Sequence, residues 1–259
     1  MRLACLFSGG KDSTYAVHLA KQAGHEVSIL VAMEPQNTES FLFHVPNVKW
    51  TSLQARAMNI PLLLVPTSGK KSREMVDLKH VLSELKKNSR IQGVVTGAVF
   101  STYQASRIQK ICHELDLFCF NPLWQTSPAS HWHELLVSGF DIVLVSVAAQ
   151  GLEKNWLGKK IDESALHELF ALEKKYGVSS IGEGGEYESF VTDAPLFEKK
   201  IRIEKYSDAW KGLQGTRHIL EAKLVSKTKM KKGKSVQKVS KSSFKKSSTK
   251  KTFVSRRKK

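Results

Sequence analysis

With 259 residues, 41% of them hydrophobic and 25% charged, the chain is long enough for one large or two small folded domains. Its formal net charge of +17 suggests nucleic acid only until it is located: residues 227–259 carry 15 of the 41 basic residues and no acidic one, leaving 26 basic against 24 acidic in a nearly neutral body. No apolar run approaches the roughly 18 residues of a membrane span, and residues 9–13 interrupt any signal-peptide core, so a cytoplasmic protein with no membrane contact is expected.

The chain opens on an apolar run, Leu3-Ala4-Cys5-Leu6-Phe7, followed by Ser8-Gly9-Gly10-Lys11-Asp12-Ser13 and then by apolar residues at helical spacing. That order is strand, tight turn, helix. The adjacent glycines let backbone amides approach a ligand closely. Asp12 and Ser13 are expected as helix-capping oxygens, and the unpaired first-turn amides, with the positive end of the helix dipole behind them, as a phosphate or pyrophosphate site. The string lacks the Walker A spacing. It resembles instead the PP-loop of the ATP pyrophosphatases, which split ATP into AMP and pyrophosphate while activating a substrate as an adenylate. An ordinary glycine turn before a capped helix is the plainer alternative, but all six positions match and they follow the first strand directly.

Residues 26–33 read as a second strand, apolar enough for burial on both faces of a parallel sheet, with Met33 at its crevice end. Residues 35–48 read as a loop over that crevice, with His44 a weak substrate candidate. A helix is expected over 51–58, a strand over 60–65, a covering helix over 72–87 and a short strand over 93–97, so that Gly97 comes close to a ligand. Ser101, Tyr103, Gln104 and Arg107 then gather two hydroxyls, an amide and a guanidinium at a helix start. They suit a phosphate or carboxylate; a capping serine and an exposed arginine are the alternative. The alternation predicts an α/β fold with a doubly wound, mostly parallel sheet.

Residues 118–124 run from a strand into a proline turn, where a domain boundary is expected: a PP-loop domain over 1–124, a smaller α+β substrate domain over 125–226 and a disordered basic tail over 227–259. His131 and His133 are two apart and share no helix face, so they read as surface or packing residues rather than metal ligands. Cys5, Cys112 and Cys119 form no C-x-x-C pair and are expected as buried thiols. A helix is expected over 163–176, capped by Asp162, and two half-buried strands over 199–206 and 217–225.

The second chemical centre is Gly182-Glu183-Gly184-Gly185-Glu186-Tyr187-Glu188-Ser189. Carboxylates this close repel one another, and the glycines indicate a shaped backbone. The cluster suits a cation, with Tyr187 offering a ring face; an acidic hairpin loop is the alternative.

Taken together, the SGGKDS string, the stretch Ser101 to Arg107, Pro122-Leu123-Trp124, Trp156-Leu157-Gly158 and GEGGEYES followed by FVTDAP resemble the diphthine-ammonia ligase family over residues 1 to about 225. Members usually carry threonine where this chain has Ser189. The resemblance implies ATP-dependent amidation of diphthine on translation elongation factor 2, with ATP and Mg²⁺ and with free ammonium as nitrogen source. It implies that Ser8, Gly9, Gly10, Asp12 and Ser13 hold the departing phosphates, with Lys11 as a supplementary charge. Glu183, Glu186 and Glu188 then surround the substrate cation or ammonium, and one takes a proton. Arg107, Tyr187 and Ser189 fall on the substrate side. Two other readings are a PP-loop tRNA-modifying enzyme, suggested by a tail able to contact RNA or the ribosome, and a non-catalytic nucleotide-binding module.

Overall fold

The computed structural model describes residues 1–35, 47–68 and 71–227. The crevice loop with His44 and the basic residues 228–259 lie outside the described residues. The first half alternates β1 (Arg2–Leu6), α1 (Lys11–Gln22), β2 (Glu26–Pro35), α2 (Thr51–Met58), β3 (Leu62–Thr67), α3 (Lys71–Ser89), β4 (Gly93–Val95), α4 (Thr102–Glu114) and β5 (Phe118–Phe120). Its strands form one parallel sheet in the order β3-β2-β1-β4-β5.

That order reverses direction between β1 and β4, which opens a crevice beyond their carboxyl ends. Both loops singled out in the sequence start there: Ser8 to Ser13 follows β1, and Ser101 to Arg107 follows β4. β1 is buried on both faces. Leu3, Cys5 and Phe7 enter one core, while Ala4 and Leu6 enter another with Leu78 and Leu82 of α3 and Ile108 and Ile111 of α4.

The second half contributes α5 (Pro128–Val137), β6 (Asp141–Val147), α6 (Glu163–Tyr176), β7 (Tyr187–Asp193), β8 (Lys199–Lys211) and β9 (Gln214–Ser226). Its sheet is antiparallel in the order β7-β6-β9-β8. Residue 124 lies between β5 and α5, where the chain passes from one sheet to the other, within the single compact unit of residues 1–227. Asp162 caps α6 by accepting from the Ala165 amide at 2.9 Å, and Ser127 caps α5 through Ser130 at 3.2 Å. The final hairpin is longer than its alternation predicts, because residues 207–211 pair across it although their side chains, exposed save for Asp208, show no alternation. Among the described residues no helix is long and apolar enough to cross a membrane.

The two sheets are stitched at the first loop. The Gly9 carbonyl accepts from the Val191 amide of β7 at 3.1 Å and from Gln54 Nε2 of α2 at 2.8 Å. Gln54 Nε2 also donates to the Val191 carbonyl at 2.9 Å. Gly9 has φ +80°, and a side chain there would collide with Gln54. Gln54→Ala removes both bonds and leaves a void at a fully buried position, so it is expected to lower the unfolding free energy by about 2–4 kcal/mol, read as a fall in the urea midpoint.

Candidate active site

Helix α1 starts at Lys11 with Gly10 as its N-cap, and no side chain caps it. The expectation that Asp12 and Ser13 act as caps is corrected here, because both lie inside the first turn and face other partners. Ser13 Oγ accepts from the Ser8 amide at 3.2 Å and donates to the Gly10 carbonyl at 3.2 Å. Ser8 Oγ lies 3.1 Å from Ser13 Oγ. The Lys11 amide is spent on Ser189 Oγ at 3.1 Å, whereas those of Asp12 and Ser13 stand in the turn that lacks intrahelical acceptors.

The Lys11 side chain turns inward. It is 4% exposed, its Nζ lies 2.9 Å from Asp12 Oδ2 and 2.6 Å from the Ile181 carbonyl, and the rings of Trp132 and Tyr187 stand 5.6 and 5.3 Å away. Both rings are fixed from their polar ends, since Trp132 Nε1 and Tyr187 Oη each donate to the Ser180 carbonyl at 2.7 Å. The second oxygen of Asp12, Oδ1, lies 2.7 Å from His131 Nε2. Burial pushes the Asp12 carboxyl up, but Lys11 and then His131 outweigh it and hold it below the ordinary aspartate value.

A cavity of about 670 Å³ opens at the crevice. Ser8, Asp12 and Ser13 form one wall, Val31 and Met33 an apolar flank, and Gly97 a tight corner. A Cβ at Gly97 would stand 2.8 Å from the Asp12 carbonyl carbon, so this corner admits no side chain without moving the loop. Ser101, Tyr103, Gln104 and Arg107 line the facing side. Arg107 Cζ stands over the Tyr103 ring at 3.4 Å, and Nη1 donates to the Tyr103 carbonyl at 3.2 Å, which restrains the guanidinium. Ser101 is also the N-cap of α4, accepting from the Gln104 amide at 3.3 Å. Gly182 to Gly185 and Glu188 close the cavity from the second half of the chain.

Family models match both halves: a diphthamide synthase N-terminal domain over residues 1–118 and a diphthamide synthase C-terminal domain over residues 127–225. The chain belongs to the diphthamide synthase family. It is similar to a diphthine–ammonia ligase of Bos taurus, 34% identical over 223 residues, covering 79% of this chain and 83% of that protein. A diphthine–ammonia ligase of Danio rerio is 35% identical over 225 residues, covering 79% and 87%. Among solved structures, a chain described as a predicted subunit of tRNA methyltransferase from Methanocaldococcus jannaschii superposes with a TM-score of 0.40 at 16% identity, covering 75% of this chain and 98% of that one.

In this diphthamide synthase chain the residues singled out from sequence divide into two sets. Ser8, Asp12, Ser13, Met33, Gly97, Ser101, Tyr103, Gln104, Arg107, Glu183 and Glu188 line one cavity. Gly9, Gly10, Lys11, Glu186, Tyr187 and Ser189 stand behind it. The expected charge of Lys11 toward phosphates is corrected to an internal cation, because a carboxylate and a carbonyl already enclose it. The Tyr187 ring likewise faces the Lys11 ammonium rather than a substrate, and Ser189 serves the Lys11 amide.

His131 is the residue that sequence reasoning missed. It was expected as a surface or packing residue, yet it is 1% exposed and holds Asp12, with its Nδ1 buried and unpartnered. The available signal was its position one turn before Leu135 on the buried side of α5, beside Trp132. His131→Leu removes one of the groups that hold Asp12 ionised. The Asp12 carboxyl then rises toward its ordinary value, and the acid limb of the pH–rate profile is expected to move to higher pH; an unmoved limb would reduce His131 to packing.

Proposed function

We propose that this chain is an ATP-dependent ligase that amidates the diphthine carboxylate of translation elongation factor 2 with ammonium, by way of an acyl adenylate and with release of AMP and pyrophosphate. The observation that carries the reading is that the loop after β1 and the acidic glycine motif, each matched by the family, line one cavity. The diphthine–ammonia ligase names of its relatives accord with that chemistry.

The first-turn amides of Asp12 and Ser13, with the Ser8 and Ser13 hydroxyls, receive the pyrophosphate end of ATP at the positive end of the α1 dipole. Val31 and Met33 offer the apolar flank that a base and ribose need. Arg107, already stacked, faces the cavity as the cation for the carboxylate or for the α-phosphate it attacks. Asp12 is a fixed anion rather than a nucleophile, since Lys11 and His131 occupy its two oxygens. The protein's share is then positioning and preorganised electrostatics.

Mg²⁺, where bound, would supply charge neutralisation to the ATP phosphates. Among the described residues no group of three His, Cys, Asp or Glu is placed to hold a metal ion, and both Asp12 oxygens carry partners. This donor set suits a hydrated ion brought in on the nucleotide and completed by phosphate oxygens and water. The basic residues 228–259 are a candidate contact for RNA or the ribosome outside the chemistry, and the cytoplasm is the compartment in which elongation factor 2 would be met.

The experiment is AMP and pyrophosphate release from ATP with and without ammonium and diphthine-bearing elongation factor 2. Release that requires the factor and falls at least about 10²-fold in Asp12→Ala is the expected result. Release stimulated by bulk tRNA and indifferent to the factor would replace this reading with tRNA modification.

A further inference from the structure

The glycine motif carries three glutamates, and the structure gives each a different setting. Glu183 spends both oxygens on backbone amides. Oε1 accepts from Val99 at 2.6 Å and Oε2 from Phe100, which pins the loop after β4 to the motif. Glu186 does not line the cavity; its Oε1 accepts from the Ser179 amide at 3.3 Å, and its Oε2 is buried. Glu188, near the start of β7, lines the cavity, and its carboxylate makes no hydrogen bond or ion pair among the described residues.

We propose that Glu188 is the general base of the amidation step, taking from ammonium the proton that must leave before nitrogen can attack the activated carboxylate. This assignment rests on the ligase reading above. A carboxylate whose two oxygens each accept from a backbone amide is held as the anion and is a poor proton acceptor, which removes Glu183, and Glu186 has no face on the cavity. Of the two that line the cavity, Glu183 and Glu188, only Glu188 has a carboxylate not engaged by other groups among the described residues. Its surroundings suit the task. Burial above all, opposed by Lys11 and aided by Asp12, raises its carboxyl to about 7, so it is a stronger base than an ordinary glutamate while still ionising near neutrality. The charged groups that face it are Lys11 and Asp12 from α1, with Glu183 and Arg107 on the same cavity.

The step balances. Glu188 accepts one proton from ammonium; the freed nitrogen lone pair forms the C–N bond; the C–O bond to AMP breaks, and AMP leaves with that electron pair. The nitrogen sheds a second proton as the amide forms, and both protons pass to solvent.

The test separates the two half-reactions. Adenylation is read as exchange of labelled pyrophosphate into ATP with diphthine-bearing elongation factor 2. Acyl transfer is read with ammonium or with hydroxylamine, which is already a neutral nucleophile at neutral pH. Glu188→Gln is expected to retain exchange, to lose about 10²–10⁴-fold in amide formation from ammonium, and to form hydroxamate at close to the unmodified enzyme's rate. The ionisation near 7 should also vanish from the ammonium profile. Equal loss with both nucleophiles, loss of exchange, or a raised KM for the factor at unchanged kcat each overturns the assignment; the last makes Glu188 a wall for the substrate's cation. Absence of exchange in the unmodified enzyme instead overturns the ligase reading, a result distinct from any of these.

Discussion

The site depends on one buried cation. The Lys11 ammonium is enclosed by Asp12 of the first loop, by the Ile181 carbonyl of the segment that leads into the glycine motif, and by the Trp132 and Tyr187 rings. An ammonium taken out of water without partners costs several kcal/mol, so the fold holds these groups around it or gives up the burial. Because the partners come from both halves of the chain, satisfying the charge also sets the first loop against the motif. The backbone bonds from Val191 to Gly9 and from Lys11 to Ser189 add to the same joint.

The joint gives the cavity its electrostatic character. Lys11 neutralises Asp12 from behind while His131 holds the other carboxylate oxygen, so an anion of fixed orientation stands on the wall beside the helix amides. Glu183 is satisfied in turn by two amides of the loop after β4, which ties the Arg107 side of the cavity to the motif. Among the described residues the Glu188 carboxylate, which lines the cavity, has no such partner. A site whose supporting charges are all internally compensated can present its few uncompensated groups to a substrate without reorganising when one arrives.

Much of this was legible in the sequence where the signal is local. Alternating apolar runs and helical periods give the parallel sheet, Thr51–Met58 is a helix over the residues its pattern marks, and Asp162 caps α6 as expected. Ser8 to Ser13 and the acidic glycine motif both announce chemistry through the order of their residues and the family resemblance that order carries. The direction of a side chain is a different matter. Lys11 looks like a phosphate ligand until Ile181, 170 residues further along, is seen to accept from it. His131 looks like packing until Asp12, 119 residues earlier, takes its ring nitrogen. Glutamates alike in the string acquire three settings from backbone groups remote in sequence, and no local pattern encodes which amide will lie within reach.

The central claim is that one cavity joins an ATP-splitting loop to a carboxylate that is activated as an adenylate. It is tested most directly with elongation factor 2 whose diphthine carboxylate carries oxygen-18, turned over with ATP and ammonium. The account predicts that one carboxylate oxygen leaves in AMP and the other stays on the factor as the amide carbonyl. Label appearing in inorganic phosphate, or amide formed with no label in AMP, would contradict it.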